Sequence, residues 1–440
     1  LVVWLRRWWL AMPRLNLHAV ILRCMQFTSL QTLAACFVAG AVFTLTLAPF
    51  YLWPLAFIAL PSFFLLLNAS ASRAHCILRA YAFGYGFFMA GTWWMSKALL
   101  VDAAQFGWLV PFSVLGLSAI YSLWFALFGA LYWFSRTPHI GLNLVRFSVL
   151  WVAIEYLHSV GMFGFPWNLA GYVALSASVR VSQLASLIGV YGLSLMVLLL
   201  ALVPVIAMTN QPKRTQMIAA IASLLAVIGA YGFGMVRMPQ APVMSDARVR
   251  VVQANIPQAI KWTNEGKLES LEMHARLSRL ETDGASPAIV IWPESAFPFT
   301  LYPDSPWPSR LAALLPTYAF LITGVTRGEE HASGQQLWNS IAVIDSFARV
   351  HATYDKHQLV PFGEFVPLRG LLPMDKITPG GIDFSRGVGA QTLTVEGMPS
   401  FSPLVCYEAV FPQFTVHKAQ RPAWLLNLTN DAWYGNTPGP

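Results

Sequence analysis

The sequence predicts a multi-pass α-helical membrane bundle followed by an α/β domain outside the cytoplasm. Hydrophobic residues make up 56% of the 440 residues and charged residues only 11%, whereas an ordinary soluble domain has about 25% charged residues. Residues 1–240 contain 13 Lys and Arg and only two acidic residues, so their net charge is +11. Residues 241–440 contain 15 basic and 18 acidic residues, so their net charge is −3. The basic character therefore belongs to the apolar part of the chain, where it reports membrane orientation and gives no support to nucleic-acid binding.

Seven stretches are predicted to span a membrane, because a helix needs about 20 predominantly apolar residues to cross a bilayer. Glu155 and His158 fall near the end of the fifth stretch, so we expect them at the membrane interface rather than in a buried site. A linker near residues 237–247 separates this membrane domain, residues 1–240, from a second domain, residues 241–440. The predicted spans are residues 30–48, 51–67, 80–100, 108–134, 145–160, 182–208 and 216–236.

The distribution of basic residues predicts the orientation of these spans. The segments on one side carry ten Lys and Arg, and the other side has only Lys97 and Arg180 before the last span. Because such an excess marks the cytoplasmic face, the N-terminus is predicted to be inside, and seven crossings place the second domain outside. A miscount of one span would reverse this. The ten residues are Arg6, Arg7, Arg14, Arg23, Arg73, Arg79, Arg136, Arg146, Lys213 and Arg214.

The cysteines and the first residues limit the kinds of site expected. Of Cys24, Cys36, Cys76 and Cys406, only Cys406 lies in the second domain, so it has no partner there for a disulfide. The chain has no Cys-x-x-Cys and no His-x-x-x-His, so we predict no metal and no cofactor. The first residues include no small-residue cleavage site, so no cleaved signal peptide is predicted.

Short apolar runs and one amphipathic segment predict a layered α/β or α+β fold for the second domain. A helix is expected over residues 264–283, and polar residues follow three of the predicted strands, at Glu294, Cys406 and Asp431. Strand ends commonly carry functional sites, because they are rigid and are enclosed by loops. The predicted strands are residues 248–254, 288–292, 319–325, 339–346, 349–354, 401–406 and 423–429.

Three segments of the second domain bring together residue types suited to acyl transfer. Glu294 follows an apolar strand and a proline in Ile291–Pro298, Lys356 and Glu364 lie in Tyr354–Pro367, and Cys406 lies in Pro403–Pro412. A free thiol with a pKa of about 8.5 is a weak nucleophile at neutral pH, so a base and a cation must assist it. A desolvated glutamate is a better base, and an ammonium favours both a thiolate and an oxyanion.

Each of these residues also has an ordinary structural interpretation. Glu294 alone could cap a helix or form an ion pair, Lys356 alone could be a solvated lysine, and Cys406 alone could be an inert core residue. Their joint occurrence, in this order and these surroundings, favours a catalytic site.

The ordered Glu, Lys and Cys motifs resemble those of the nitrilase, or carbon–nitrogen hydrolase, superfamily. Together with the predicted spans, the chain resembles the apolipoprotein N-acyltransferase family over about residues 30–440. Four segments of the membrane domain also fit that family: Leu47-Ala-Pro-Phe50, residues 86–94, Gly164-Phe-Pro-Trp-Asn168 and Gly189-Val-Tyr-Gly-Leu193.

The resemblance implies a fold and a set of roles. The fold would be an αββα sandwich attached to membrane helices, with Cys406 as nucleophile, Glu294 as general base and Lys356 as oxyanion stabiliser. Two further acidic residues would support the site, and five residues would contact substrate or shape the site. These are Glu364 and Glu408, and Trp262, Asn339, Pro367, Tyr407 and Trp433.

The resemblance also implies partners and a location. The acyl donor would be a phospholipid, phosphatidylethanolamine in particular, and the acceptor the diacylglyceryl-cysteine amine of an apolipoprotein. The chain would lie in the bacterial cytoplasmic membrane, with its catalytic domain on the periplasmic side. The sequence leaves the oligomeric state open, and we expect a monomer. Family members continue beyond the position of Pro440, so we expect the catalytic domain to be incomplete at its C-terminus.

Three alternatives remain open from the sequence. The first is a membrane-tethered amidase that uses the same three residues with water as the acceptor. The second is a transporter or assembly factor with an inactive nitrilase-like domain. The third is an inactive fragment of the acyltransferase.

Overall fold

The chain forms two compact units, one of Leu1–Met95 and Pro111–Pro242 and the other of Ser96–Val110 and Val243–Pro440. The computed structural model describes residues 29–160, 164–209, 211–238, 246–280, 287–332, 334–371, 375–378 and 380–439. The N-terminal arm with Cys24, and most of the linker predicted near residues 237–247, lie outside these residues. The grouping of Ser96–Val110 with the second unit was not predicted from the sequence.

The first unit is built of helices. Seven of them overlap the seven predicted spans one by one, and shorter helical turns connect them, among them Tyr172–Ala177 and Val179–Ser182. The seven helices are α1 (Ser29–Thr44), α2 (Ala56–Asn68), α3 (Arg73–Thr92), α4 (Leu117–Ser135), α5 (Ile140–Ser159), α6 (Ala185–Met208) and α7 (Lys213–Arg237).

Four helical stretches of the described residues are long and apolar enough to cross a membrane. Two others, Ser29–Thr44 and Trp53–Asn68, are apolar but shorter. A helical membrane part is therefore present, whereas the number of seven crossings, and the orientation that depends on it, stay predictions. The four stretches are Ala103–Ser135, Ile140–Ser159, Ala185–Met208 and Lys213–Arg237.

The core of the first unit is a cluster of aromatic rings. The rings of Phe63 and Phe83 stack with their centroids 4.0 Å apart, and Trp151 meets Phe125 edge-on at 5.0 Å. Helices α1 and α3 approach so closely that a Cβ atom added at Gly86 would lie 2.0 Å from the Phe37 carbonyl oxygen. Small residues allow this kind of backbone contact between membrane helices, where packing replaces the hydrophobic driving force.

The expectation that Glu155 and His158 avoid a buried site was wrong. Both side chains are buried in the first unit, with exposed fractions of 5% and 6%. One carboxylate oxygen of Glu155 accepts hydrogen bonds from the Trp151 indole at 2.9 Å and from the backbone N–H of Ala170 at 2.7 Å. The sequence reveals the distance of Glu155 from the span's end but not these donors, which reduce the cost of burying a carboxylate.

The described residues of the second unit form a six-stranded sheet and a two-stranded sheet. Strands β1, β2 and β4 are parallel neighbours, β3 pairs in parallel with β4, and β4, β5 and β6 form an antiparallel meander. The second sheet is the parallel pair β7 and β8. The strands are β1 (Val249–Val251), β2 (Ile289–Ile291), β3 (Phe297–Leu301), β4 (Phe320–His331), β5 (Gly334–Asp345), β6 (Val350–Asp355), β7 (Phe401–Val405) and β8 (Trp424–Leu428).

Alternating side chains of the larger sheet build two cores. Val290 and Leu321 point to the side of helices α8 (Asn264–Ser278) and α9 (Trp307–Ala312), where Leu311 packs. Ile289 and Ile322 point to the other side, toward the apolar residues of β7 and β8. The described residues therefore form a helix–sheet–sheet stack, so the predicted layered α/β domain is confirmed and three of the four layers of an αββα sandwich are present.

Among the strands and α-helices described in Val243–Pro440, β3 and α9 were not predicted. Both contain a proline, Pro298 and Pro308, and proline within a run argues against a central strand or a helix interior. In the structure β3 lies at the margin of the sheet, pairing only with β4 among the described strands, and Pro308 stands in the first turn of α9. These are the two places where proline is tolerated.

Candidate active site

The residues predicted to be catalytic follow the ends of three strands. Glu294 comes three residues after β2, Lys356 directly follows β6, and Cys406 directly follows β7. Asn430, two residues after β8, reaches the same place. The apolar strands fix the backbone at these points, so the polar side chains are held on rigid supports.

Glu294 is held by donors on both carboxylate oxygens. Its Oε1 accepts a hydrogen bond from the Asn339 amide at 2.9 Å, and its Oε2 accepts one from the backbone N–H of Asn430, also at 2.9 Å. The side chain is buried, with 8% of the residue exposed. Its approach to β4 requires glycine at position 324, because a Cβ atom there would lie 2.6 Å from the Glu294 Cα.

Lys356 is a fully enclosed cation between two carboxylates. Its Nζ lies 2.9 Å from Glu364 Oε2 and 3.9 Å from Glu294 Oε1, and 1% of the residue is exposed. The Asn339 amide also donates to Glu364 Oε1 at 2.7 Å, and the Val360 N–H donates to Glu364 Oε2 at 2.8 Å. Burial disfavours the ammonium, but Glu364 and Glu294 outweigh it, so the pKa of Lys356 is raised and the group stays charged.

Cys406 stands at a sharp turn between β7 and a short 3₁₀ helix, Cys406–Val410. Its φ of 51° is rare for a residue other than glycine, asparagine or aspartate. Glu408 holds this turn from inside: its carboxylate accepts hydrogen bonds from the Val405 N–H, at 2.8 Å, and from the Tyr354 hydroxyl, also at 2.8 Å. Such strained backbone at a strand end is a frequent setting of functional side chains.

The protonation state of Cys406 differs from the one expected of an activated thiolate. Burial, and after it the Glu294 carboxylate, raises the pKa of the Cys406 thiol to about 12, although Lys356 and Thr429 act in the opposite direction. The Lys356 cation does favour a thiolate, but burial of the thiol, together with the Glu294 and Glu364 carboxylates, outweighs it. The resting site therefore contains a neutral thiol next to an acceptor for its proton.

The residues predicted to contact substrate fall into three groups. Asn339 is buried between the two carboxylates, where it shapes the site. Trp262 and Trp433 line one cavity of the second unit. Pro367 is buried, and the ring of Tyr407 packs edge-on against Phe411 with centroids 4.8 Å apart.

The two parts of the chain match known proteins. The family described as apolipoprotein N-acyltransferase N-terminal domain matches residues 39–203, and the carbon–nitrogen hydrolase family matches residues 248–440. An apolipoprotein N-acyltransferase of Rhodopseudomonas palustris is 34% identical over 425 residues, which cover 91% of this chain and 78% of that protein. The corresponding protein of Bradyrhizobium diazoefficiens is 38% identical over 421 residues, with the same coverage of both chains.

The chain belongs to the apolipoprotein N-acyltransferase family. It is an acyltransferase with a carbon–nitrogen hydrolase domain and a helical membrane part. A crystal structure of a CN-hydrolase superfamily protein from Xanthomonas campestris matches with 20% identity and a TM-score of 0.28, over 42% of this chain and 66% of that one.

The structure brings several of the predicted site residues of this N-acyltransferase domain together. Glu294, Lys356, Glu364 and Cys406 form one cluster, with Glu408 beneath it. Asp431 does not join them: its carboxylate accepts a hydrogen bond from the nearby Thr429 hydroxyl. Among the described residues, no group of three or more His, Cys, Asp and Glu side chains could hold a metal ion.

Sequence reasoning missed three residues around the cluster of this N-acyltransferase domain. Asn430 acts through its backbone N–H, which no side-chain pattern reveals. The Gln258 amide oxygen accepts a hydrogen bond from the Asn430 side chain at 2.9 Å. Lys261 is buried with its Nζ 3.5 Å from the carbonyl oxygen of Glu294, and its position directly before Trp262 was the one available signal.

Proposed function

We propose that the chain transfers an acyl group from a phospholipid to the diacylglyceryl-cysteine amine of an apolipoprotein, through a thioester on Cys406. The observation that supports this most directly is the enclosed cluster of Glu294, Lys356 and Glu364 beside the Cys406 thiol. The family to which the chain belongs supports the choice of substrates.

The first half-reaction forms the thioester. Glu294 accepts the proton of the Cys406 thiol while the sulfur attacks the ester carbonyl carbon of the phospholipid. The tetrahedral oxyanion is stabilised by the Lys356 ammonium, a contribution of about 2.7–4 kcal/mol for one oxyanion donor in comparable sites. When the intermediate collapses, the lysophospholipid oxygen leaves and takes the proton from Glu294.

The second half-reaction uses the same groups with an amine as nucleophile. The amine attacks the thioester carbonyl, Glu294 accepts the amine proton, and Lys356 again faces the oxyanion. Collapse breaks the carbon–sulfur bond, and Glu294 returns a proton to the sulfur. The raised pKa of the thiol favours this return, because Cys406 is a stronger base than an ordinary cysteine thiolate.

Glu364 and Glu408 have supporting roles in this proposal. Glu364 fixes the Lys356 ammonium at 2.9 Å and prevents it from pairing only with the base. Glu408 holds the turn that presents the sulfur. Trp262, Tyr407, Pro367 and Trp433 are proposed to shape the substrate path, and Asn339 to align the two carboxylates.

The proposal includes a location and a donor. The chain would lie in the bacterial cytoplasmic membrane as a monomer, with the catalytic domain on the periplasmic side and phosphatidylethanolamine as the acyl donor. The positive-inside distribution of Lys and Arg supports the orientation.

Mass spectrometry of Cys406 tests the proposed reaction. The full chain is incubated with phosphatidylethanolamine vesicles, and an acyl group on Cys406 is expected, which a diacylglyceryl lipopeptide discharges faster than water does. Faster discharge by water would indicate a hydrolase. Full lipopeptide acylation by a Cys406→Ala variant would refute the role of the thiol.

A further inference from the structure

A cavity of about 450 Å³ lies within the second unit, and a hydrogen-bonded path connects its wall to the catalytic cluster. Gln258 lines it and is bonded to Asn430, whose backbone N–H holds Glu294. Gln258 is therefore two hydrogen bonds away from the proposed general base, and a group that Gln258 binds is three away. The lining residues of the cavity come from residues 98–106, 258–262, 375–378 and 380–381, together with Trp433.

Two buried donors of the cavity wall have no acceptor among the described residues. They are the Gln258 side-chain nitrogen and the Trp262 indole nitrogen. Gln258 is 5% exposed, and the bond from Asn430 to its amide oxygen orients the NH₂ group. Buried donors are almost always satisfied in proteins, so both nitrogens can donate to a ligand that supplies oxygen acceptors.

The charges around the cavity are of both signs. Lys376 is 4% exposed, and its Nζ donates to the Thr378 hydroxyl at 3.0 Å. Burial lowers the pKa of Lys376 to about 8, against the opposing effect of Glu364 and Asp383, so the group is mostly charged at neutral pH. Asp102 and Asp375 line the same cavity.

We propose that this cavity binds the headgroup of a zwitterionic glycerophospholipid, with Lys376, Gln258 and Trp262 on the phosphate and with Asp102 and Asp375 on the ammonium. A buried lysine with two neutral donors suits a phosphate diester, and the carboxylates suit a cation. These residues then determine which acyl donor is used. This inference rests on the proposed transfer from a phospholipid.

Binding is tested on the full chain in detergent, with a Cys406→Ala substitution to prevent chemistry. The probes are short-chain phosphatidylethanolamine, short-chain phosphatidylglycerol, the matching diacylglycerol and inorganic phosphate. Lys376→Met should weaken binding of both phospholipids by roughly tenfold to a hundredfold, as expected for a hydrogen bond to a charged group, and leave diacylglycerol unchanged. Lys376→Arg should retain most of the affinity.

The carboxylates are tested separately. A double Asp102→Asn and Asp375→Asn variant should bind phosphatidylethanolamine more weakly by about tenfold or less, and phosphatidylglycerol no more weakly than before. Lys418→Met, at an exposed lysine outside the cavity, is the matched control and should change nothing. Inorganic phosphate that competes as well as the lipids would show a simple anion site and overturn the zwitterionic assignment.

Measuring thioester formation as well as binding distinguishes a failure of the headgroup site from a failure of the proposed transfer reaction. A Lys376→Met variant with unchanged KM for phosphatidylethanolamine would overturn the headgroup site while leaving the transfer reaction intact. Equal loss of diacylglycerol and phospholipid binding would show that Lys376 only supports the fold, and would also overturn it. Failure of the unsubstituted chain to form any thioester, with the binding pattern as expected, would refute the transfer reaction alone.

Discussion

The neutral thiol of Cys406 predicts an unusual alkylation profile. The pKa of this thiol is about 12, against 9.0 for an unperturbed cysteine. At about pH 9, roughly one molecule in a thousand then contains the thiolate, compared with half for an unperturbed cysteine. Because iodoacetamide reacts with the thiolate, the alkylation rate of Cys406 should keep rising beyond about pH 10 without a plateau.

A Glu294→Gln substitution should separate alkylation from catalysis. Removing the carboxylate removes the second largest cause of the raised thiol pKa. Loss of a neighbouring like charge typically changes a pKa by about one unit or more, so alkylation at a fixed pH should become about tenfold faster. Thioester formation from phospholipid should nevertheless fall, because the proton acceptor is gone.

The assay is mass spectrometry of the peptide that contains Cys406, with a small free thiol in the same tube as the reference. A plateau of the alkylation rate near about pH 8.5 would show an activated thiolate and refute the reasoning. Slower alkylation in Glu294→Gln would also contradict it, since it would mean that Glu294 stabilises the thiolate rather than the thiol.

Three further substitutions have defined outcomes. Burial lowers the pKa of Lys261 from the ordinary lysine value of 10.5 to about 8, with Glu294 opposing. Between these two values the unfolded chain binds the extra proton, so stability rises with pH across that range. Lys261→Met should thus be more stable below about pH 8, by about 3 kcal/mol at most, and the advantage should vanish by about pH 10.5 in thermal unfolding. Glu408→Gln leaves a backbone N–H such as that of Val405 without an acceptor, so it should lower the free energy of unfolding by about 1–3 kcal/mol and slow thioester formation. Gly324→Ala places a Cβ atom 2.5 Å from a backbone nitrogen, so thioester formation should fall by about a hundredfold through misplacement of the neighbouring base.

Each of these outcomes has a control. A stability difference for Lys261→Met that stays constant with pH would contradict the lowered pKa. Unchanged stability in Glu408→Gln would show that the carboxylate is not needed to hold the Cys406 turn. Gly370→Ala is the control for Gly324→Ala, since a Cβ atom at Gly370 has no atom within 4 Å. An equal loss of thioester formation in both variants would contradict the explanation that the Cβ atom at position 324 displaces Glu294.

The sequence predicted the strand ends of the site because apolar runs are easy to recognise and the polar residue follows directly. Glu294 and Cys406 were located in this way. The predicted strands 319–325 and 339–346 were too short at the hairpin end, because Thr326–His331 are mostly polar and give no apolar signal. In the structure this stretch is held by backbone pairing, from Thr326 opposite Asn339 to His331 opposite Gly334.

Other features of the site depend on contacts between distant parts of the chain. The backbone N–H of Asn430 reaches Glu294 from a strand of the other sheet, and any residue except proline could provide that donor. Lys376 is polar and lies in a Pro- and Gly-rich stretch, so the sequence favours a solvated side chain. Lys376 is buried because other stretches of the chain pack around it in the cavity wall, which the local sequence does not show.

The second unit is assembled from two stretches of chain that are synthesised at different times. Ser96–Val110 leaves the ribosome before all of Pro111–Pro242, and its partners from Val243 onward follow only afterwards. At usual rates of translation this interval is on the order of ten seconds. The part of the cavity wall that carries Asp102 is therefore synthesised before the residues that it packs against. A fragment that began at Val243 would lack this part of the wall even if both of its sheets formed.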